Sequence, residues 1–297
     1  MSKIKIDAII ILVNWNGWQD TLECVKSCQN LVHHSYQIII VDNDSQDQPQ
    51  KTLQQLQRFD NVTLLQSNAN LGFAGGNNFG IRHAQQKYNC DYFWLLNNDT
   101  VVEQTTLSEL IKTARCDSNI GIVGSKIFYY NSSKLWFAGG EFQKHSGYIK
   151  HLGMLEEDNV QFSQQKSVDF ISGCSLLITK SAIQTVGLIP EDYFLYFEDT
   201  DWNFAVKEAS FKILYAPHSR VWHKISQSVG QQSTTYYYYM FRNSLIFSKK
   251  YFPHLQQRIF LFRCLEIIQL LLKGNFTAVR ASTKGIWHFL KKKNGKL

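Results

Sequence analysis

Tyr92-Phe93-Trp94-Leu95-Leu96-Asn97-Asn98-Asp99 is an apolar run that stops abruptly at amides and a carboxylate. The pattern recurs: Ile38-Ile39-Ile40-Val41 runs into Asp42-Asn43-Asp44-Ser45, and Tyr193-Phe194-Leu195-Tyr196-Phe197 into Glu198-Asp199-Thr200-Asp201. Such a run reads as a buried strand that delivers polar groups to the carboxyl edge of a sheet, where open α/β folds hold their ligands. Carboxylates gathered at one edge need a counter-charge, and a divalent metal carrying a phosphorylated ligand supplies one.

Outward from these runs, strand and helix patterns alternate. Ala8–Val13 reads as a buried strand, followed by the loop Asn14-Trp15-Asn16-Gly17 and a helix from Trp18 to about Asn30. Gln37–Val41 is the second strand, with a helix from about Pro49 to Phe59 after it. Val62–Gln66 and Tyr92–Leu96 are the third and fourth, and the loop Asn68–Asn78 between them opens a helix that runs through Tyr88. The alternation predicts a single mostly parallel, doubly wound α/β sheet. Residues 121–168, rich in Gly, aromatics and polar side chains, predict a small antiparallel addition. Gly72-x-x-Gly75-Gly76 is neither a dinucleotide fingerprint nor a P-loop. It reads either as a tight strand-to-helix turn or as a ligand loop whose amides receive a phosphate or nucleoside.

At 297 residues with 44% hydrophobic content, the chain has ample material for a core. Its six cysteines form no CxxC pair, and no export sequence precedes the first strand, so they read as reduced cytosolic thiols. Charge is uneven. Residues 240–297 hold twelve Lys or Arg against one acid, Glu266, so this stretch carries +11 and the rest of the chain −4. Residues 1–230 are expected to form one domain and residues 231–297 a basic, amphipathic helical region. The run Ile259–Leu272 is too short, and too charged at Arg263 and Glu266, to span a bilayer. It is expected to lie in the membrane interface, with Lys249, Lys250, Lys273 and Lys291–Lys293 on lipid phosphates. A tail packed on the body with a solvated basic face is the alternative. No nucleic-acid partner is expected.

Taken together, several motifs resemble a family. Asn14-Trp15-Asn16-Gly17, Val41-Asp42-Asn43-x-Ser45, Asn70-Leu71-Gly72-Phe73-Ala74-Gly75-Gly76-Asn77-Asn78 and Leu96-Asn97-Asn98-Asp99-Thr100 are similar to the nucleotide-binding half of glycosyltransferase family 2. Ser172-Gly173-Cys174, Phe197-Glu198-Asp199-Thr200-Asp201-Trp202 and Val221-Trp222-His223 resemble its acceptor half. The Asn-rich stretch after Gly72 is most similar to the rhamnosyltransferase-like branch. The resemblance covers about residues 6–225, with a nucleotide-sugar half to about residue 120 and an acceptor half to about 230. It implies a GT-A fold and inverting transfer of a sugar from a nucleoside diphosphate to a saccharide acceptor.

The resemblance also implies roles. Val13, Asn14, Asp42, Asn43, Gly72, Phe73, Gly76, Asn77, Asn97 and Asn98 become nucleotide-sugar contacts. Asp99 becomes the ligand for Mg²⁺ or Mn²⁺, in a motif whose first position is Asn97 rather than the family's Asp, and His223 becomes a supplementary ligand. A lone His after Val221-Trp222 could equally be a packed edge residue. Asp199 becomes the general base and Glu198, Asp201 and Trp202 acceptor contacts, with Trp202 packing or stacking on the acceptor sugar. Chemistry agrees: departure of a nucleoside diphosphate builds negative charge that a carboxylate-held cation offsets. An inverting transfer needs one base behind the anomeric carbon, and adjacent acids such as Glu198 and Asp199 push one carboxyl upward. The donor suggested is dTDP-L-rhamnose, with a UDP-hexose or UDP-galactofuranose as alternative, and the acceptor a saccharide, lipid-linked at the inner face of the cell membrane. Two other classes stay open: a nucleotidyltransferase, disfavoured because Asn14–Asp20 holds no Lys or Arg for a triphosphate, and a non-catalytic sugar-binding protein.

Overall fold

The computed structural model describes residues 3–144, 146–225 and 233–297. The first half comprises β1 (Ile4–Asn14), α1 (Trp18–Cys28), β2 (Tyr36–Asp42), α2 (Gln50–Leu56), β3 (Val62–Gln66), α3 (Gly72–Lys87) and β4 (Tyr88–Leu96). Then come β5 (Thr100–Val102), α4 (Thr106–Arg115), β6 (Ile120–Tyr129), β7 (Leu135–Phe137) and a hairpin of β8 (Gly140–Gln143) and β9 (Tyr148–His151). β10 (Lys166–Ser167), β11 (Ser175–Thr179), α5 (Lys180–Val186), α6 (Glu198–Glu208) and β12 (Lys212–His223) follow. Helices α7 (Thr234–Tyr251), α8 (Gln256–Leu272) and α9 (Phe276–Leu290) come last. The expected boundary between residues 230 and 231 lies outside the described residues.

The main sheet runs β10-β12-β6-β11-β4-β1-β2-β3, with β5 on β12 and β7 on β6. Strands β3, β2, β1 and β4 are mutually parallel, and β12 is parallel to β6. Between β4 and β6, β11 is antiparallel to both, and the short β5, β7 and β10 are antiparallel to their neighbours. This is the mostly parallel sheet that the alternation predicts, with the antiparallel addition expected from residues 121–168. Ile9–Leu12, Ile38–Val41 and Phe93–Leu95 are all buried, because strands covered on both faces leave no solvent side for polar residues. Their parallel arrangement brings Asn14, Asp42 and Asn97 to one edge, and β12 brings His223 opposite Thr100 there.

Two expectations change. Tyr193–Phe197 is not a strand: Phe194, Tyr196 and Phe197 all have left-handed backbones, with φ of 65, 66 and 75°. Its apolar side chains are buried or half-buried, but the carbonyls of Tyr193, Leu195 and Tyr196 bond to side chains and those of Phe194 and Phe197 to the Phe73 and Asp201 amides, rather than to a ladder. The helix after β3 begins at Gly72, earlier than Asn78, so Gly75, Gly76 and Gly80 lie within α3. There they allow close helix–strand approach: a Cβ on Gly76 would sit 2.8 Å from Val13, and one on Gly80 2.9 Å from Ile11.

Gly80→Leu is therefore expected to force α3 off β1 and β2, at a cost of about 1–3 kcal/mol. Urea unfolding midpoints measure it, and an unchanged midpoint would contradict this packing.

Candidate active site

The edge is assembled by side-chain amides. Asn14 is fully buried, and its Oδ1 accepts from the Thr21 hydroxyl (2.9 Å), the Gly17 amide (3.2 Å) and Asn98 Nδ2 (3.3 Å). Its Nδ2 donates to the Ser45 hydroxyl at 3.0 Å. Asn98 also donates to Thr21 at 2.9 Å. Asn14 and Asn98 thus weld the turn after β4 to the loop after β1. The Asn97 side chain is half-buried, while its backbone N–H donates to the Cys174 carbonyl at 2.9 Å.

At the end of β2, Asp42 accepts from the Ser45 amide and from Gln48, both at 3.1 Å. Asn43 donates to the Gly72 carbonyl at 3.2 Å and accepts from the Leu71 amide at 2.9 Å, so it shapes the glycine loop. The expectation that amides in this loop receive a phosphate is not met at Leu71, Gly72 or Phe73. Those N–H groups donate to Asn43 Oδ1, to Asn70 Oδ1 (3.0 Å) and to the Phe194 carbonyl (3.0 Å). Gly76 packs on Val13, and Asn77 bonds back to the Phe73 carbonyl at 2.9 Å. These two support the loop from below. Phe73 itself lies against Gly173, where a Cβ would meet its ring at 2.6 Å.

Asp99 Oδ1 lies 3.1 Å from His223 Nε2, with both side chains buried. Burial opposes charging His223, but Cys174 and the Asp99 carboxylate outweigh it and hold the imidazole above its usual range. Trp136 packs edge-on to His223 with ring centroids 4.8 Å apart and fixes its plane. A carboxylate oxygen and an imidazole nitrogen converging on one point suit a divalent cation. Among the described residues no group of three or more His, Cys, Asp or Glu could hold a metal. An ion here would need further oxygens from a phosphorylated ligand and water, as Mg²⁺ sites commonly do.

The predicted base and its neighbours separate sharply. Asp199 is half-buried; Oδ2 accepts from the Gly173 amide at 2.8 Å and Oδ1 from the Thr200 amide at 2.6 Å. Burial raises its pKa, and these bonds restrain the rise. Glu198 is buried and its pKa rises further, from burial first and then from the Asp199 charge. Its Oε2 has no hydrogen-bond partner among the described residues. Both carboxyls are pushed upward, Glu198 the more strongly, so Glu198 is the member of the adjacent pair that resists ionisation and Asp199 the one better held as a carboxylate.

Two expected acceptor contacts do not reach the site. Asp201 is buried and accepts from Tyr193 (2.6 Å), Tyr251 (2.8 Å) and Lys250 (2.8 Å), so its carboxylate is consumed within the protein. Trp202 is buried and donates its indole N–H to the Gly187 carbonyl at 3.1 Å, which leaves no face for a sugar. Glu198, Asp201 and Trp202 stand at i, i+3 and i+4 of α6, the face turned inward.

The residues missed from sequence lie on α7. Asn243 Nδ2 donates to the carbonyls of Tyr193 (3.1 Å), Leu195 (2.8 Å) and Tyr196 (2.9 Å). Arg242 donates to Tyr193 (2.8 Å) and to Gly295 (2.8 Å). Both are fully buried. They hold the left-handed turn whose Phe194 carbonyl supports Phe73 and whose end carries Asp199. A signal existed: Arg242-Asn243 is a polar pair inside the apolar run Tyr236–Phe247.

Comparison with known proteins identifies the family and the fold. A model of glycosyl transferase family 2 matches residues 9–187. A low-salt glycan biosynthesis hexosyltransferase of Haloferax volcanii is 22% identical over 98% of this chain and 93% of its own length. Poly-beta-1,6-N-acetyl-D-glucosamine synthase of Staphylococcus aureus is 23% identical over 76% of the chain, which spans only 52% of that protein. Among solved structures, GalNAc-T7 with UDP, GalNAc and Mn²⁺ aligns at TM-score 0.65 and 15% identity, covering 82% of this chain and 48% of the other. A mannosyltransferase from Pyrobaculum calidifontis with GDP-Man and Mn²⁺ aligns at TM-score 0.62 and 12% identity, covering 99% and 77%.

Asn243→Ala leaves buried carbonyls without a donor, each at a cost of about 1–3 kcal/mol. Denaturant unfolding is expected to register the loss. An Asn243→Ala protein as stable as wild type would show that the turn holds itself.

Proposed function

Because the chain belongs to glycosyl transferase family 2, we propose that it is an inverting hexosyltransferase that moves a sugar from a nucleoside diphosphate to a saccharide acceptor. One observation carries this reading. Gly173 and Cys174 bridge the two corners of the site, the Gly173 amide on Asp199 and the Cys174 carbonyl on the Asn97 amide. The base and the Asp99–His223 corner are thus locked to one backbone step.

In the proposed reaction the acceptor oxygen bonds to the anomeric carbon as the anomeric C–O(phosphate) bond breaks. The nucleoside diphosphate leaves with the bonding pair, and Asp199 takes the hydroxyl proton. Its two oxygens are steered by Gly173 and Thr200, and Glu198, pushed upward by burial, resists placing a second negative charge beside it. Asp99 and His223 would hold Mg²⁺ or Mn²⁺, which when bound offsets the charge growing on the departing diphosphate. His223 must give up its proton to serve. Asp42 and Asn43, with Val13 and Asn14, frame the nucleoside side, and Phe73 walls off the sugar from below. The first donor to test is dTDP-L-rhamnose, then UDP-hexoses and UDP-galactofuranose. On this reading the acceptor is lipid-linked and the enzyme works at the inner membrane face, which the basic C-terminal region supports.

A panel of nucleotide sugars scored for released nucleoside diphosphate tests the reading. Pyrophosphate release would indicate a nucleotidyltransferase instead, and no release a binding protein. Chelator should stop turnover, and Asp99→Ala should lower it by orders of magnitude; full activity in chelator removes the metal assignment.

Asp199→Asn is expected to keep donor affinity and lose about 10²–10⁴-fold in transfer, with the wild-type product inverted at the anomeric carbon. Retention of configuration would refute direct attack. The working carboxylate is unprotonated and burial raises its pKa, so kcat/KM should fall with decreasing pH through a midpoint above the ordinary carboxylate value of about 4. Glu198→Gln, which mimics the protonated acid, should preserve most of the rate.

A further inference from the structure

The hairpin of α8 and α9 exposes apolar surface of a kind covered elsewhere in the molecule. Leu261, Leu265, Ile268 and Leu272 recur at steps of four, three and four, one face of a helix, and are 63, 57, 52 and 82% exposed. The tip continues it, with Phe276 at 69%. Between Leu261 and Leu272 this face carries no charge. The two ionic groups in that span, Arg263 and Glu266, bond to each other at 2.7 Å, with Arg263 buried over the Tyr148 ring. The flanks are basic and exposed: Arg258 before the stripe, Lys273 at the tip, then Lys284 and Lys291–Lys293. No acid follows Glu266. Trp287 is half exposed on α9, the residue type that settles at a water–lipid boundary. Among the described residues no helix is long and apolar enough to cross a membrane.

An exposed apolar stripe marks an interaction site, and a protein partner and a lipid surface compete for it. The charge decides between them. An uncharged stripe flanked along the chain by exposed cations, with its one acid paired to buried Arg263, matches the boundary between acyl chains and anionic headgroups. We propose that the α8–α9 hairpin seats the protein on an anionic lipid bilayer, with Leu265, Ile268, Leu272 and Phe276 entering the acyl boundary and the flanking cations on lipid phosphates. This deepens the membrane part of the reading above and rests on it. Of the lysines that the sequence reading placed on lipid phosphates, Lys250 is instead bonded to Asp201. Binding should therefore have a salt-sensitive part and an apolar part that survives salt.

The full-length protein is sedimented with phosphatidylcholine vesicles, with and without phosphatidylglycerol, across a salt series. Wild type should bind the phosphatidylglycerol vesicles, weaken with salt, and retain measurable binding at high salt. Leu265→Asp with Ile268→Asp should lower binding by about 100-fold, since two apolar anchors are lost. Lys273→Ala with Lys284→Ala should instead flatten the salt dependence. Neither variant should change the melting temperature or nucleotide affinity. Wild type that ignores anionic vesicles, or an aspartate variant that binds like wild type, overturns the proposal. So does a wild-type dimer that the aspartates split while neither form binds lipid, which would give this face to a second copy. Donor turnover is measured on the same samples. Vesicle binding without turnover would remove the catalytic reading alone, and turnover without vesicle binding would remove the docking alone.

Discussion

Buried peptide groups must be paired, and the turn Tyr193–Phe197 cannot pair its own. Three of its residues are left-handed, so no ladder or helix is open to them, and each such residue costs about 1–3 kcal/mol when it bears a side chain. Its carbonyls are buried in an aromatic environment with Phe142, Phe247 and Phe252 close by. Asn243 and Arg242 supply the donors, and the turn exists because they do. From that turn the Phe194 carbonyl sets Phe73 and, through the positive φ of Gly72, the approach of the glycine loop. From its other end α6 projects Asp199. One amide and one guanidinium on α7 thus fix both walls of the site.

The acids near the edge are each kept from repelling one another by a different device. Asp42 is capped by Ser45 and Gln48. Asp201 is neutralised by Lys250 and two phenols. Glu198 is pushed upward by burial and resists ionisation, and Asp99 faces His223. Asp199 is partly open and has no cation bonded to it among the described residues, as a base requires. On the proposed chemistry, the Asp99–His223 corner supplies two donors and the phosphorylated ligand the rest. Metal and donor affinities would then be linked, each strengthening the other by the same factor.

The legible parts of the fold were those whose burial leaves a local mark. Strands covered on both faces must be apolar throughout, so β1, β2 and β4 stood out together with the polar residues that end them. Asp99 could be placed at the edge because it closes such a strand, whereas Asp199 follows no strand and its proposed role came from the family resemblance. Tyr193–Phe197 was misread because an apolar run records burial and not where its carbonyls bond. Their partners lie some fifty residues downstream, and no local pattern carries that distance. Asp201 and Trp202 went wrong for a related reason: helical spacing shows which residues share a face, but not whether that face meets solvent. The glycines of α3 looked like a phosphate cradle, since close packing on Val13 and Ile11 demands the same small residue.

The cations of the basic C-terminal region, which the sequence left either at a lipid surface or on a tail packed against the body, divide into two populations. Arg242 and Lys250 face the catalytic body, bonding to the turn and to Asp201, while Arg263 is buried between Tyr148 and Phe241. These groups lie on the inner side of α7 and α8, and the exposed cations of the hairpin lie beyond them. Gly285 lets α9 approach α7 closely, with a Cβ there only 2.5 Å from the Tyr238 carbonyl, and Tyr238 in turn bonds His288 at 2.7 Å. Contacts therefore run without a break from the exposed hairpin through α7 to the carbonyls under Asp199. A segment that only tethered the protein would need none of them. Deleting the whole region, α7 included, would remove the donors that the left-handed turn requires, so the proposed docking is separated from the proposed catalysis by changing surface residues of α8 and α9.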